Sequence, residues 1–239
     1  MNRLAKPVKR AERLEVSYES EHWQLLKELR SKALGIMETL KRSNMDSTVH
    51  GSISRGDVSK TSDIDIFLPS ISSSFSLEVS LERAGFQTCQ RTILQATPLY
   101  AMKGYIELDS QTSISFPLVK MRPVEKEFYK FGGEATIHEL QNEKRIAGVD
   151  KRLMLIEPTP EGHVETAVVG QEEITSRILG VSLNTVLDRV RALLRRDKVG
   201  RTGVFIEKVL APDETFEQAM KKIADTNPAV RRRTKFYEN

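Results

Sequence analysis

Two short runs of the chain carry residue types that act together on phosphate. The first is His50-Gly51-Ser52-Ile53-Ser54-Arg55-Gly56-Asp57; the second, Ser62-Asp63-Ile64-Asp65-Ile66, puts Asp63 eleven residues after Ser52. Glycine at 51 lets a ligand approach the backbone with no Cβ in the way. The Ser52 hydroxyl and the N–H groups behind it suit phosphate oxygens, and Arg55 can add a charge-assisted contact. In a strand, Asp63 and Asp65 point to the same face. Two carboxylates side by side repel when both are ionised, and a divalent cation removes that cost. Hard oxygen ligands suit Mg²⁺, which takes one or two carboxylates plus substrate phosphates. A surface turn followed by a solvated edge strand would leave the same letters.

These residues need a strand to end on, a tight turn and a second strand. Residues 45–50 read as a short extended piece ending at Gly51, and Asp63–Leu68 alternates as a strand with Ile64, Ile66 and Leu68 facing a core. A helix is predicted over 20–42, with Trp23, Leu26, Ala33, Ile36, Met37 and Leu40 on one stripe. Another is predicted over 76–84, closed by Gly85. Strands are expected near 87–94 and 99–108. The turn Asp109-Ser110-Gln111 then leads into 113–121. Leu153–Glu157 reads as a strand, Gly132-Gly133 as a loop, and residues 1–18 as loosely packed.

The 239 residues include 37 Lys and Arg against 33 Asp and Glu, 39% hydrophobic and 29% charged residues. That balance belongs to a globular protein with a real core. Cys89 is the one cysteine, so no internal disulfide forms, and a cytoplasmic setting is expected. The four scattered histidines exclude a Cys/His zinc finger, and the longest apolar runs fall far short of a bilayer span. No membrane partner is expected. From Gly170 onward 14 basic residues face 10 acidic ones, so the whole net charge of +4 lies in the last third.

The combined motif, Gly51-Ser52 followed at this spacing by Asp63-Ile64-Asp65, resembles the DNA polymerase beta-like nucleotidyltransferase superfamily. The flanks GSISRGD and SDIDIF look especially like the archaeal tRNA CCA-adding enzymes and small nucleotidyltransferases. The resemblance covers about 17 residues directly. It implies an α+β fold with a nucleotidyltransferase-type mixed sheet and flanking helices. It also implies that Asp63 and Asp65 bind Mg²⁺, as two ions in an active enzyme, while Gly51 and Ser52 hold the β- and γ-phosphates of a nucleoside triphosphate. The superfamily has a third carboxylate on a neighbouring strand. In Ile114-Ser115-Phe116-Pro117, Ser115 stands where that acid is expected. Glu107, one strand earlier, is the candidate substitute; Asp109 has a simpler place in a turn. No segment has the size of the tail domain that CCA-adding enzymes carry, so CCA addition is not expected.

Residues 172–210 read as helix, glycine turn at Gly180, helix and a two-stranded wing turning near Arg201-Thr202-Gly203, similar to winged helix-turn-helix domains. A helix over 213–224 and an exposed basic tail, RRRTK at 231–235, complete the chain. In one reading Asn184, Thr185, Asp188 and Arg191 face a groove of DNA or RNA while Arg195, Arg196 and Arg201 touch phosphates. In the other, this is a solvated helical hairpin used for packing or dimerisation.

The expected organisation is a nucleotidyltransferase domain over 1–125, a connecting segment over 126–168 and a small winged-helix-like domain over 169–239. The expected function is Mg²⁺-dependent transfer of a nucleoside monophosphate from a nucleoside triphosphate to a hydroxyl acceptor, releasing pyrophosphate. The alternative is a nucleic-acid-binding regulator whose nucleotidyltransferase fold senses a nucleotide without turnover.

Overall fold

The computed structural model describes Pro7 and residues 13–200 and 203–235. In chain order the elements are β1 (Leu14–Ser17), α1 (Ser20–Arg42), β2 (Thr48–His50), α2 (Ser52–Arg55), β3 (Ile64–Phe67), α3 (Ser74–Arg83), β4 (Gln90–Gln95), β5 (Lys103–Asp109), β6 (Thr112–Pro117) and α4 (Pro123–Phe131). They continue as β7 (Glu134–Thr136), α5 (Ile137–Gln141), β8 (Gly148–Val149), β9 (Met154–Thr159), β10 (Gly162–Ala167), α6 (Glu172–Leu179), α7 (Leu183–Val199), β11 (Ile206–Val209), α8 (Phe216–Thr226) and α9 (Pro228–Lys235). The fold class is α+β, with a mixed sheet and flanking helices.

The chain forms two compact units, each threaded from three stretches. The first takes residues 1–34, 49–63 and 126–202; the second takes 35–48, 64–125 and 203–239. This differs from a division into consecutive domains, because long-range strand pairing interleaves the stretches.

In the first unit an antiparallel sheet runs in the order β1-β10-β9-β8. Leu14–Ser17, expected to be loosely packed, pairs in register with Glu165–Gly162. Buried His163 bridges Tyr18 and Glu165, and Arg152 ties Glu165 to Asp150. The core below joins Val149, Leu153 and Leu155 to Val181, Val186, Val190 and Leu193 of the α6–α7 hairpin. The glycine turn is as the sequence predicts: Gly180 is left-handed and the Ser182 hydroxyl accepts from the Thr185 N–H.

In the second unit the strand order is β11-β4-β5-β6-β3. All pairs are antiparallel except β3 with β6, which is parallel. One sheet face is apolar, with Ile66, Ile114 and Ile106 buried in a row across three strands. Phe116 on that face meets Phe216 of α8 edge-on at 5.0 Å between centroids. The β5–β6 hairpin follows the sequence reading, with an irregularity between Glu107 and Asp109. The Asp109 carboxylate accepts from the Gln111 N–H, the turn role its position suggests.

Two C-terminal expectations are corrected. Ile206–Val209 is no half of a wing: it pairs with Thr92–Gln95 as an edge strand of the sheet. The unpaired edge of β4 supplies a better partner than a short hairpin of its own. The tail is also not simply exposed. Residues 228–235 form α9, and buried Arg233 donates to the Leu99 and Lys120 carbonyls and to Glu125. Among the described residues no helix is long and apolar enough to cross a membrane.

Candidate nucleotidyl-transfer site

The Gly51-Ser52 turn is built entirely within the first unit. Gly51 has φ +83° and ψ −147°, a conformation that only glycine adopts at little cost. Its N–H donates to the Gly133 carbonyl at 3.0 Å. Four residues of helix follow, closed by left-handed Gly56. Buried Arg30 of α1 donates to the carbonyls of Ile53 and Ser54 at 2.9 and 3.0 Å, and the Ile146 N–H also donates to the Ser54 carbonyl. Burial, then the charge of Arg145, pulls the Arg30 guanidinium down to about 10. His22 Nε2 meets the Gly56 carbonyl at 2.7 Å. The turn is thus braced from three segments, α1 and the stretches around Gly133 and Ile146, before any ligand arrives, which lowers the ordering cost of binding.

Ser52 Oγ donates to Ser62 Oγ at 3.1 Å, so the turn is tied to the residue immediately before Asp63. Asp63 is exposed and directly precedes β3, while Asp65 lies within it, half-buried. The predicted strand begins one residue later than the sequence pattern suggested, and the two carboxylates keep their two-residue spacing.

In the second unit Asp65 stands on the polar face of the sheet. Register aligns Asp65 with Ser113 on β6, Ser113 with Glu107 on β5, and Glu107 with Gln90 on β4. Ser113 Oγ donates to Asp65 Oδ1 at 2.9 Å. Glu107 shares this face but lies two strands away, about 10 Å between Cα atoms by ordinary strand spacing. Ser115 is one row further along, opposite Phe67, and buried. The residue beside Asp65 is therefore Ser113, not Ser115. Tyr105, on the same face, has its hydroxyl pushed up to about 12 by burial, with the Asp65 charge adding to it.

An oxygen-only pair at Asp63 and Asp65, one carboxylate oriented by a hydroxyl, fits the donor set that Mg²⁺ prefers. Among the described residues no three His, Cys, Asp or Glu side chains gather closely enough to hold a metal ion by themselves. Substrate phosphates would have to complete such a coordination shell.

Arg55 differs from its expectation as a nucleotide contact. It is buried, with Nε and one terminal nitrogen on the two Asp57 oxygens at 2.9 and 2.8 Å and the other on the Gly132 carbonyl at 2.6 Å. A guanidinium turned inward, with each of its three nitrogens hydrogen-bonded, braces the turn. Gly132 and Gly133, expected as an ordinary loop, are its other brace. Built on Gly133 (φ +83°), a Cβ would stand 2.7 Å from Arg55 Cγ. Only the unusual Gly-Gly pair hinted at this in the sequence.

Of the candidate nucleic-acid contacts, Arg191, Arg195 and Arg196 are exposed on α7, while Arg201 lies outside the described residues. Thr185, expected to face a groove, is instead fully buried, and Asp188 is half-buried. His50 packs its ring against Phe128 and Tyr129 of α4.

A family model described as a nucleotidyltransferase domain matches residues 30–202. No curated protein matches the chain. A solved complex of a CCA-adding enzyme with ATP is similar at 13% identity and a TM-score of 0.34, over 92% of this chain and 51% of that one. The chain thus spans about half the length of that enzyme. The family match covers well over half of the chain and contains both the braced Gly51-Ser52 turn and the Asp63–Asp65 pair. The protein therefore belongs to the nucleotidyltransferase domain family.

Proposed function

We propose that the protein transfers a nucleoside monophosphate from a nucleoside triphosphate to a hydroxyl acceptor, releasing pyrophosphate. The observation that carries this reading is the braced Gly51-Ser52 turn, tied through Ser52 and Ser62 to the segment that bears Asp63 and Asp65. Gly51 and Ser52 position the triphosphate, Ser52 through its hydroxyl. Asp63 and Asp65 would hold Mg²⁺, which would supply charge neutralisation of the triphosphate and Lewis-acid activation of the acceptor oxygen. Ser113 keeps the Asp65 carboxylate oriented. Glu107, on the same sheet face, is the candidate third carboxylate, two strands from Asp65. The acceptor hydroxyl belongs to an RNA end, a protein side chain or a small molecule.

A second reading is favoured by one observation. The position directly opposite Asp65 on the neighbouring strand holds Ser113, not an acid. In that reading the protein is a cytoplasmic nucleic-acid-binding regulator that senses a nucleotide with little or no turnover.

The test is incubation of the purified protein with α-labelled nucleoside triphosphates and Mg²⁺, with total RNA and then cell extract as acceptor sources, beside Asp63→Ala/Asp65→Ala. Label moved to an acceptor by the native chain only is the expected result and names the acceptor class. Tight nucleotide binding with no label moved to any acceptor would give the second reading.

A further inference from the structure

The α6–α7 hairpin has the outline of a helix-turn-helix, yet its second helix is not built to enter a groove. In that motif the N-terminal residues of the second helix meet base edges. Here that end is closed. The Glu127 carboxylate of α4 accepts from the Ser182 N–H at 2.9 Å, from Ser182 Oγ at 2.6 Å and from Thr185 Oγ1 at 2.5 Å. Burial raises the Glu127 carboxyl, but these hydrogen bonds outweigh it and hold the group below the usual carboxylate range. A fixed negative charge thus occupies the place where a base edge or phosphate would have to come.

The other half of α7 has the opposite character. Arg191, Arg195, Arg196 and Lys198 are all exposed, with Asp197 the one acid among them, and none of the four has an ion-pair partner among the described residues. Cations in the last helical turn are explained by the helix dipole. That accounts for Arg196 and Lys198, but Arg195 stands just before that turn and Arg191 more than a turn before it. Four exposed cations on two helical turns raise the local positive potential that a dense line of phosphates would meet.

The helix that carries these cations also packs, through Arg189 on a different side, against α4 beside the phosphate-binding turn of the same unit. The His50 ring, next to Gly51, lies 6.1 Å from the Phe128 ring, and the Arg189 guanidinium of α7 stacks over Phe128 at 4.8 Å.

We propose that the C-terminal half of α7 grips a nucleic-acid backbone by its phosphodiesters without reading base sequence, while the Glu127-closed N-terminal half stays out of the groove. The inference rests on the reading that the partner is nucleic acid, and it names the face and the mode of contact.

The test is fluorescence anisotropy with the full chain and labelled single-stranded RNA, duplex RNA and duplex DNA of several sequences, across a salt series, with heparin as a non-nucleic polyanion. Circular dichroism checks that each variant folds. The expected result is binding with little sequence preference that weakens linearly in log salt. Arg191→Ala/Arg195→Ala/Arg196→Ala should weaken all sequences alike, by more than about ten-fold, and reduce the salt slope by about one for each arginine removed. Asn184→Ala, in the exposed N-terminal half, should change affinity less than about two-fold, a surface change away from the phosphates. Single arginine variants serve if the triple variant misfolds. The RNA and DNA arms tell which polymer is preferred. Absence of binding, binding to heparin only, unchanged affinity in the arginine variants, or sequence preference lost in Asn184→Ala would each overturn the proposal. Binding of a fluorescent nucleoside triphosphate, followed on the same samples, reports the Gly51-Ser52 site separately, so failure of one reading is not mistaken for failure of the other.

Discussion

Ser113 on β6 faces Asp65 on β3 in parallel register and donates its hydroxyl to Asp65 Oδ1 at 2.9 Å. A neutral donor there orients the carboxylate, and a second acid there would repel it unless a cation lay between them. The β6 position next to Asp65 thus holds a hydroxyl and not an acid, and the nearest acid in the same row is Glu107, one strand further on β5.

That geometry makes Ser113→Asp informative. In EDTA the variant should melt below the native chain, because two carboxylates then sit directly opposite each other. Millimolar Mg²⁺ should raise its melting temperature by more than it raises that of the native chain. Equal Mg²⁺ responses in differential scanning fluorimetry would argue against a metal at Asp65. Ser113→Ala should cost only about 1 kcal/mol of stability, as expected for removal of one hydrogen bond.

The turn depends on glycines that touch no ligand. A Cβ on Gly148 would stand 2.3 Å from the Gly133 backbone nitrogen, and Gly133 in turn receives the Gly51 N–H. Gly148→Ala should therefore destabilise by about 2 kcal/mol or more and weaken nucleoside triphosphate binding together with stability. Gly35→Ala is the control: it sits inside α1 with nothing within 4 Å of the added methyl, and should stabilise by roughly 0.5–1 kcal/mol. Chemical denaturation and nucleotide titration on both variants separate the two outcomes.

Arg55 offers a direct contrast between bracing and binding. Its removal leaves Asp57, a mostly buried carboxylate, without its bidentate partner. Arg55→Ala should cost about 3 kcal/mol of stability. Nucleotide affinity of the folded fraction should fall less than about three-fold, since the guanidinium is turned inward onto Asp57 and Gly132. A ten-fold loss with unchanged stability would instead make Arg55 a ligand residue.

Acid should loosen the second unit at Glu125. This buried carboxylate accepts from Ala101 N–H, from Arg122 and from Arg233, fastening α9. Burial pushes its pKa up, but these hydrogen bonds win and hold it below the ordinary 4.5. A depressed native value means the stabilisation is complete above about pH 4.5 and is lost as pH falls through the lower native value. Glu125→Gln should destabilise by about 3 kcal/mol at pH 7, where it leaves Arg233 without its buried anion. At pH 3 the difference from the native chain should shrink. Denaturant midpoints at the two pH values measure both.

Periodicity and turn chemistry made much of this protein legible in its sequence. The α1 stripe, the Asp63–Leu68 alternation, the β5–β6 hairpin and the Gly180 turn all follow from local patterns, because side-chain period and glycine conformation are properties of a few consecutive residues. The Gly51-Ser52 turn and the two-residue spacing of Asp63 and Asp65 were readable for the same reason: both are set by residue type and short spacing. What only tertiary structure decided are relationships across long separations. Residues 206–209 looked like a wing because a short strand after a helix reads the same whether it pairs locally or with residues 92–95. Arg55 looked like a phosphate ligand because nothing local revealed that its guanidinium turns inward, with Asp57 and distant Gly132 engaging each of its three nitrogens. Ser113, rather than Ser115, stands beside Asp65 because strand register, a choice among packings of the whole sheet, sets which residues face each other.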